Sequence, residues 1–180
     1  MQLFGSSGTR GVVGDRLTPT FVTRVAAAAA TVWDVNRVAI GRDTRTSGKM
    51  LTDAATAGLA STGTDVDRLG IVPTPAITRY CEVESMPGLM ITASHNPPEY
   101  NGIKLIGDDG VELTVEYLER IEDRVISEEF TRAAWDEVSR SRVINTANDE
   151  YVEEVLARCN RDPIADADLT VALDPGHGAG

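Results

Sequence analysis

A serine and a histidine stand side by side in Thr92-Ala93-Ser94-His95-Asn96-Pro97, and Asn101-Gly102-Ile103-Lys104 follows closely. The 180-residue chain has two histidines and two lysines in all, and one of each falls in this short stretch. Ahead of it, Gly88-Leu89-Met90-Ile91 reads as a buried strand; behind it, Pro97, Pro98 and Gly102 force a turn. The pair therefore sits at a strand end, where α/β proteins open onto a ligand crevice. A serine next to an imidazole could be an activated nucleophile with a group to manage its proton. The plain alternative is an Asn-Pro turn in which Ser94 only hydrogen-bonds backbone. No Gly-x-Ser-x-Gly elbow is present, which weighs against serine-hydrolase chemistry.

Three further segments could do chemistry. In Phe4-Gly5-Ser6-Ser7-Gly8-Thr9-Arg10-Gly11, small residues let backbone N–H groups converge on an anion, and Arg10 adds a fork suited to phosphate. Composition fits a flexible N-terminal loop equally well. Gly41-Arg42-Asp43-Thr44-Arg45-Thr46-Ser47-Gly48-Lys49 resembles a P-loop but lacks its spacing. Its expected role is structural, with Ser47 capping a helix and Asp43 paired with an arginine. Lys104 could be a surface lysine lying along its own stem, although the scarcity of lysine here favours a site. Gly176, Gly178 and Gly180 make only a fragment of a dinucleotide fingerprint.

The elements that must position these residues alternate. A Gly/Ser loop over 5–14 leads to Thr18, which caps a helix with Pro19 in its first turn and the alanine run 26–30 within it. Strands are expected at 37–41, 66–72, 89–92 and 103–106, the last closed by the turn Gly107-Asp108-Asp109-Gly110. Helices are expected from Ser47 to about 62, from Pro73 toward Tyr80, over 115–127, over part of 128–138, and over 149–159. Residues 169–173, Leu-Thr-Val-Ala-Leu, read as a buried strand entering a glycine-rich turn. The pattern predicts a layered α/β/α domain with a mixed, mostly parallel sheet over 1–140, and the start of a second, similar α/β domain over 148–180.

The apolar fraction is 42%, as in ordinary globular chains, and no apolar run reaches membrane-spanning length. A net charge of −11 without a basic stripe argues against nucleic acid as a partner. Cys81 and Cys159 have no metal-ligand or CxxC spacing, and the N-terminus has no signal-peptide pattern; a cytoplasmic protein with reduced thiols is expected. Fifteen of the seventeen basic residues are arginine, and the surface is acidic and lysine-poor. That balance suits a halophilic protein, whose self-repulsion salt would screen, or simply a GC-rich genome.

Taken together, FGSSGTRG, GRDTRTSG, the PTPA segment, TASHNPPEYNGIK and LTVALDPGHGAG resemble, in order and along essentially the whole chain, the α-D-phosphohexomutase superfamily of phosphoglucomutases and phosphomannomutases. The resemblance implies a phosphoserine enzyme. Ser94 would carry a phosphoryl group, pass it to a hexose 1-phosphate to give a bound hexose 1,6-bisphosphate, and recover the other phosphate as hexose 6-phosphate leaves. It also implies Mg²⁺ touching that phosphate and held by three aspartates of a second domain, with hexose 1,6-bisphosphate as activator. By the same likeness, Arg10 and Lys104 would neutralise charge and assist proton transfer, His95 would act beside Ser94, and Ser7 and Asn101 would contact substrate. His177 stands where relatives commonly carry asparagine. The metal loop and the sugar-specificity loop would lie beyond Gly180, so these residues are expected not to complete a cycle alone. Glucose and mannose phosphates are the leading substrates, with glucosamine phosphate close behind, and a catalytically silent module of the same fold is the non-enzymatic rival.

Overall fold

A computed structural model describes residues 3–5 and 8–179. Six strands form one sheet in the order β1-β5-β4-β2-β3-β6: β1 Thr9–Val12, β2 Arg37–Arg42, β3 Asp65–Ile71, β4 Gly88–Ile91, β5 Tyr100–Ile106 and β6 Ser141–Val143. The pairs β4·β2, β2·β3 and β3·β6 are parallel, whereas β1·β5 and β5·β4 are antiparallel, so the sheet is mixed with a parallel core. The helices are α1 Pro19–Trp33, α2 Gly48–Ala60, α3 Thr74–Glu84, α4 Val115–Ser127, α5 Ala147–Arg158 and α6 Arg161–Asp166. None of them is long and apolar enough to cross a membrane.

Strand periodicity divides the core between the two faces of the sheet. Val38, Ile40, Leu89, Ile91, Ile103 and Leu105 point toward α1, α2 and α4. The intervening Ala39, Met90 and Ile106 point toward α3 and α5. Because both faces are covered, β4 is buried at every position, which is why its sequence is a continuous apolar run. Helix α1 starts as the sequence predicts, with Thr18 Oγ1 accepting from the Phe21 N–H at 3.2 Å and Pro19 at the first position. Its five alanines, 26–30, are all buried and leave room for α2 to approach closely. At that crossing a side chain on Gly58 would run into the Thr23 carbonyl.

Four expectations meet a different structure. Residues 9–12, read as loop, form β1, because β5 supplies a partner far away in sequence: Thr9 faces Ile103 and Arg10 faces Gly102. Ser47 precedes α2 but caps nothing; its hydroxyl accepts instead from Asn101 Nδ2 at 2.9 Å. Residues 128–138 contain no helix. Glu128 closes α4 in a left-handed conformation, and the Ala133 and Ser139 N–H groups bond the Ser61 and Ala60 carbonyls at the end of α2. The predicted strand 169–173 has no partner strand among the described residues, and Leu169, Val171 and Leu173 are 70–86% exposed. A strand exists only where an edge accepts it.

Beyond residue 140 the chain adds β6 to the edge of β3 and lays α5 against α3. Asp67, 1% exposed, anchors this junction. It accepts from the Tyr80 hydroxyl at 3.0 Å and from Arg142 Nε and Nη2 at 2.6 and 2.9 Å. Burial, and then the neighbouring carboxylate, push the Tyr80 phenol well above its ordinary range. The Asp67 carboxylate likewise raises the Arg142 guanidinium. Arg79 on α3 reaches Glu154 on α5 at 2.5 Å and holds that carboxyl below the usual range.

Candidate functional site

Strands β2, β3 and β4 run parallel, so their C-terminal ends open on one edge of the sheet. A cavity of about 480 Å³ lies there. Asp43, Thr44 and Arg45 line it just beyond β2, Thr74 at the start of α3, and Thr92, Ser94 and Asn96 just beyond β4. Residues 176–179 form its remaining wall, and the His177 carbonyl accepts from Thr44 Oγ1 at 2.8 Å. His177 itself has φ 58°.

Ser94 is exposed and has φ 54°, a left-handed conformation that a non-glycine residue keeps only when its surroundings hold it. Its N–H donates to Thr92 Oγ1 at 3.1 Å, and the Asn96 N–H donates to the Ala93 carbonyl at 3.1 Å. Its Oγ lies 3.4 Å from His95 Nδ1, a long contact that leaves the hydroxyl free to turn. At the base of the loop, the Thr92 N–H donates to the Gly102 carbonyl at 3.1 Å. Gly102 is required there: a Cβ would fall 2.5 Å from the Thr9 carbonyl oxygen and 2.8 Å from that of Thr92. Without a side chain at 102, β1, β5 and the serine loop converge.

The loop is tied from below by the segment after β2. Arg45 Nη1 donates to the Pro97 and Tyr100 carbonyls at 2.7 and 3.0 Å, and Nη2 to those of Ser94 and Asn96 at 2.8 and 2.7 Å. Arg45 Nε donates to Asp43 Oδ2 at 3.2 Å. Asp43 Oδ2 also accepts from Thr92 Oγ1 at 2.7 Å, while Oδ1 accepts from the Arg45 N–H at 3.0 Å. Asp43 thus has the arginine partner that the sequence predicts. What sequence reasoning missed is that Arg45, Thr92 and Asn96 together shape the serine loop. The available signal was positional, since GRDTR follows directly on a strand parallel to the one that carries Ser94.

The other predicted site residues are distributed unevenly. Arg10, exposed on β1, reaches the loop through Nη1 to Asn96 Oδ1 at 3.2 Å. Lys104 lies on β5, 19% exposed, in an ion pair with Glu112 at 2.5 Å, and does not line the cavity. Asn101 is fully buried; its amide spans from Ser47 Oγ to the Gly102 N–H, which its Oδ1 accepts at 2.8 Å. It joins β5 to the start of α2 rather than facing the cavity. Ser7 lies outside the described residues.

Chemically, the arrangement presents a hydroxyl on a rigid turn, an imidazole beside it and a guanidinium held nearby. It is not a nucleophile–base–acid relay: among the described residues no carboxylate hydrogen-bonds His95. Asp43 is spent on Arg45 and Thr92. An exposed hydroxyl with an imidazole beside it and the Arg10 guanidinium bonded to the same loop suits the receipt and release of a phosphoryl group, where positioning and charge neutralisation matter most.

Residues 1–132 match the family described as phosphoglucomutase/phosphomannomutase, alpha/beta/alpha domain I. The chain is 40% identical over 178 residues to a Pyrococcus abyssi protein named "Probable phosphoglucosamine mutase", covering 98% of this chain and 38% of that one. It is also 40% identical over 187 residues to the phosphoglucomutase/phosphomannomutase of Thermococcus kodakarensis, covering 99% of this chain and 40% of that protein. The chain therefore spans about two fifths of the length of the curated relatives it matches. A crystal structure of a phosphoglucomutase/phosphomannomutase family protein from Burkholderia thailandensis superposes with a TM-score of 0.76 at 26% identity, covering 87% of this chain and 36% of that one.

Proposed function

The chain belongs to the phosphoglucomutase/phosphomannomutase family, and we propose that it supplies the phosphoserine part of a mutase interconverting hexose 1-phosphate and hexose 6-phosphate. The observation that carries this reading is Ser94: exposed at the cavity beyond the parallel strands, at positive φ, with its loop carbonyls gathered onto one arginine. In the forward direction, the P–O bond to Ser94 Oγ breaks as a hydroxyl oxygen of hexose 1-phosphate bonds the same phosphorus. The hydroxyl proton leaves the sugar, and the freed Ser94 oxygen takes up a proton. The resulting hexose 1,6-bisphosphate turns over; the bond from its 1-oxygen to phosphorus breaks as Ser94 Oγ bonds that phosphorus, the Ser94 hydroxyl loses its proton, the freed 1-oxygen takes one up, and hexose 6-phosphate departs. Hexose 1,6-bisphosphate supplied from outside acts as activator by loading an empty Ser94.

In this reading His95 exchanges the proton at Ser94 Oγ, and Arg10, already anchored on Asn96, neutralises phosphoryl charge. Lys104 takes up its charge-neutralising role only by leaving Glu112. Mg²⁺ bound through the Ser94 phosphate would withdraw negative charge from the transferring oxygens. Among the described residues no three His, Cys, Asp or Glu side chains gather as a metal site, and the protein ligands of the ion are proposed to come from the second domain. Residues 148–180 are proposed to begin a second domain, and the 180 residues alone to be unable to complete the cycle. Turnover by the isolated chain would refute that last point.

The test uses the complete reading frame with glucose and mannose 1-phosphates, Mg²⁺ and a trace of hexose 1,6-bisphosphate, following 6-phosphate formation beside Ser94→Ala. We expect turnover in the parent and at least a ~10³-fold loss in the variant, as for removal of a covalent nucleophile. Equal rates in the two would sink the phosphoserine mechanism. The likeness to a protein named as a phosphoglucosamine mutase favours glucosamine 1-phosphate as the second substrate to try.

A further inference from the structure

We propose that Arg45 is the positioning residue of the Ser94 loop, and that its guanidinium sets the conformation of the serine without touching substrate; this rests on the phosphoserine reading above. A guanidinium has five N–H donors in a fixed planar fork. In Arg45 all five are used inside the protein: one on Asp43 Oδ2, two on the carbonyls of Pro97 and Tyr100, two on those of Ser94 and Asn96. The side chain is 12% exposed, and no donor remains for a phosphate.

Four carbonyl oxygens drawn to one cation would repel one another without it. Their convergence bends residues 94–100 around the guanidinium and turns the Ser94 carbonyl inward, so that its side chain points the other way, to the cavity. The positive φ of Ser94 is the local cost of that turn. Asp43 closes the linkage: it orients Arg45 through Nε and the backbone N–H, and it accepts from Thr92 Oγ1, which in turn accepts from the Ser94 N–H. The serine is thus held from its carbonyl by Arg45 and from its N–H through Thr92 and Asp43. Arg10 contrasts with this: it reaches the loop through a side-chain amide, with a single hydrogen bond among the described residues. Lysine cannot replace Arg45, because a compact ammonium has three donors and cannot span four carbonyls and a carboxylate.

The experiment compares the parent with Arg45→Lys, Arg45→Ala and Thr92→Val, all in the complete reading frame. Amide hydrogen exchange at Ser94 and Asn96 is read against amides within β2 and β4, with thermal unfolding as the control for global stability. Turnover of hexose 1-phosphate is measured alongside, with and without millimolar guanidinium. We expect both Arg45 variants to speed exchange at 94 and 96 by at least ~10-fold while the strand amides keep their protection. We expect kcat to fall about 100-fold with KM changed less than about 3-fold, the pattern of a misplaced reacting group. Guanidinium should recover part of kcat in Arg45→Ala and none in Ser94→Ala. Thr92→Val, which keeps the volume, should speed exchange at Ser94 in a fully folded protein and decides the matter should Arg45→Ala fail to fold. Unchanged exchange at 94 and 96, a parental kcat in Arg45→Lys, or a loss expressed mainly in KM would each overturn the proposal. If the parent turns over no hexose phosphate, the functional reading fails while the exchange result still decides the role of Arg45.

Discussion

The same side chain serves opposite ends at different positions of this molecule. Arg45 has every donor committed to the loop it holds, whereas Arg10 is exposed and joins that loop by one bond to Asn96. The two cysteines differ in the same way. Cys81 is wholly buried on α3, close against Gly88, and burial pushes its thiol up to about 12. Cys159 is exposed after α5. Because the thiolate is the reactive form, a disulfide reagent near pH ~8 should modify one thiol in the folded protein and the second only after unfolding. The sign of the pH dependence follows from the raised value. The unfolded thiol ionises from about 8.5 but the folded one only near 12. The stabilisation from keeping Cys81 neutral is therefore full below pH ~8.5 and declines as pH rises toward the folded value. Two thiols modified at equal rates in native protein would contradict this account.

At the scale of elements, the edge strand β6 depends on one buried carboxylate. It is three residues long and exposed throughout, so hydrophobic burial contributes little to its place. Asp67, on β3, holds it through Arg142, and the Tyr80 hydroxyl completes the cluster from α3. Replacing Asp67 with alanine leaves the Tyr80 hydroxyl buried without its acceptor and frees Arg142. We expect about 2 kcal/mol of lost stability by urea unfolding, within the range for an unsatisfied buried polar group. Exchange at β6 amides should rise well before that of β2 or β4. Asp67→Asn keeps an acceptor and should cost less. Stability unchanged in Asp67→Ala would show that other contacts place β6. Only Ala147 of α5 is buried, so this helix leans on the Arg79–Glu154 pair in addition to packing on α3.

For the whole molecule, several carboxylates at the joints between elements titrate low. The Lys49 hydrogen bond, with Arg68 adding to it, lowers Asp53; the Ser139 hydroxyl and the Arg140 N–H lower Asp65; Arg79 lowers Glu154. Each binds its proton less readily folded than unfolded. Their contribution is therefore present above the ordinary carboxylate range, near pH ~4, and is lost as pH falls through the depressed folded values. Acid also removes negative charge from a chain of net −11 and so relieves self-repulsion. The pairs are local, whereas the repulsion is spread and screened by salt, so in moderate salt loss of the pairs should win. Urea midpoints measured across pH should stay level from neutral to about pH 5 and fall below about pH 4. The edges bearing β6 and α5 should loosen first. A midpoint that rises steadily on acidification would mean that the repulsion dominates.

The sequence by itself determined what depends on near neighbours or on periodicity. Thr18 with Pro19 starts α1, the short apolar runs in 37–41 and 89–92 mark buried strands, and Pro, Gly and Asn turn the chain after Ser94. It also offered Ser94, at a strand end, and Arg10, in a Gly/Ser-rich segment, as candidates for chemistry, and it predicted an arginine for Asp43, which Arg45 supplies. Tertiary structure decided what depends on hydrogen bonds between groups far apart along the chain. Residues 9–12 became a strand because β5 lay open to them, and Ser47 became an acceptor for Asn101 instead of a cap. In 128–138 the Thr131 and Ala133 N–H groups went to Thr31 on α1 and to the Ser61 carbonyl after α2, and the apolar run 169–173 met no edge among the described residues to pair with. Arg45 shows the difference most plainly: its charge can be read in the sequence, but the four carbonyls it gathers are fixed only once β2 and β4 end side by side. Backbone carbonyls are alike at every residue, so no pattern of side chains announces which of them a distant guanidinium will meet.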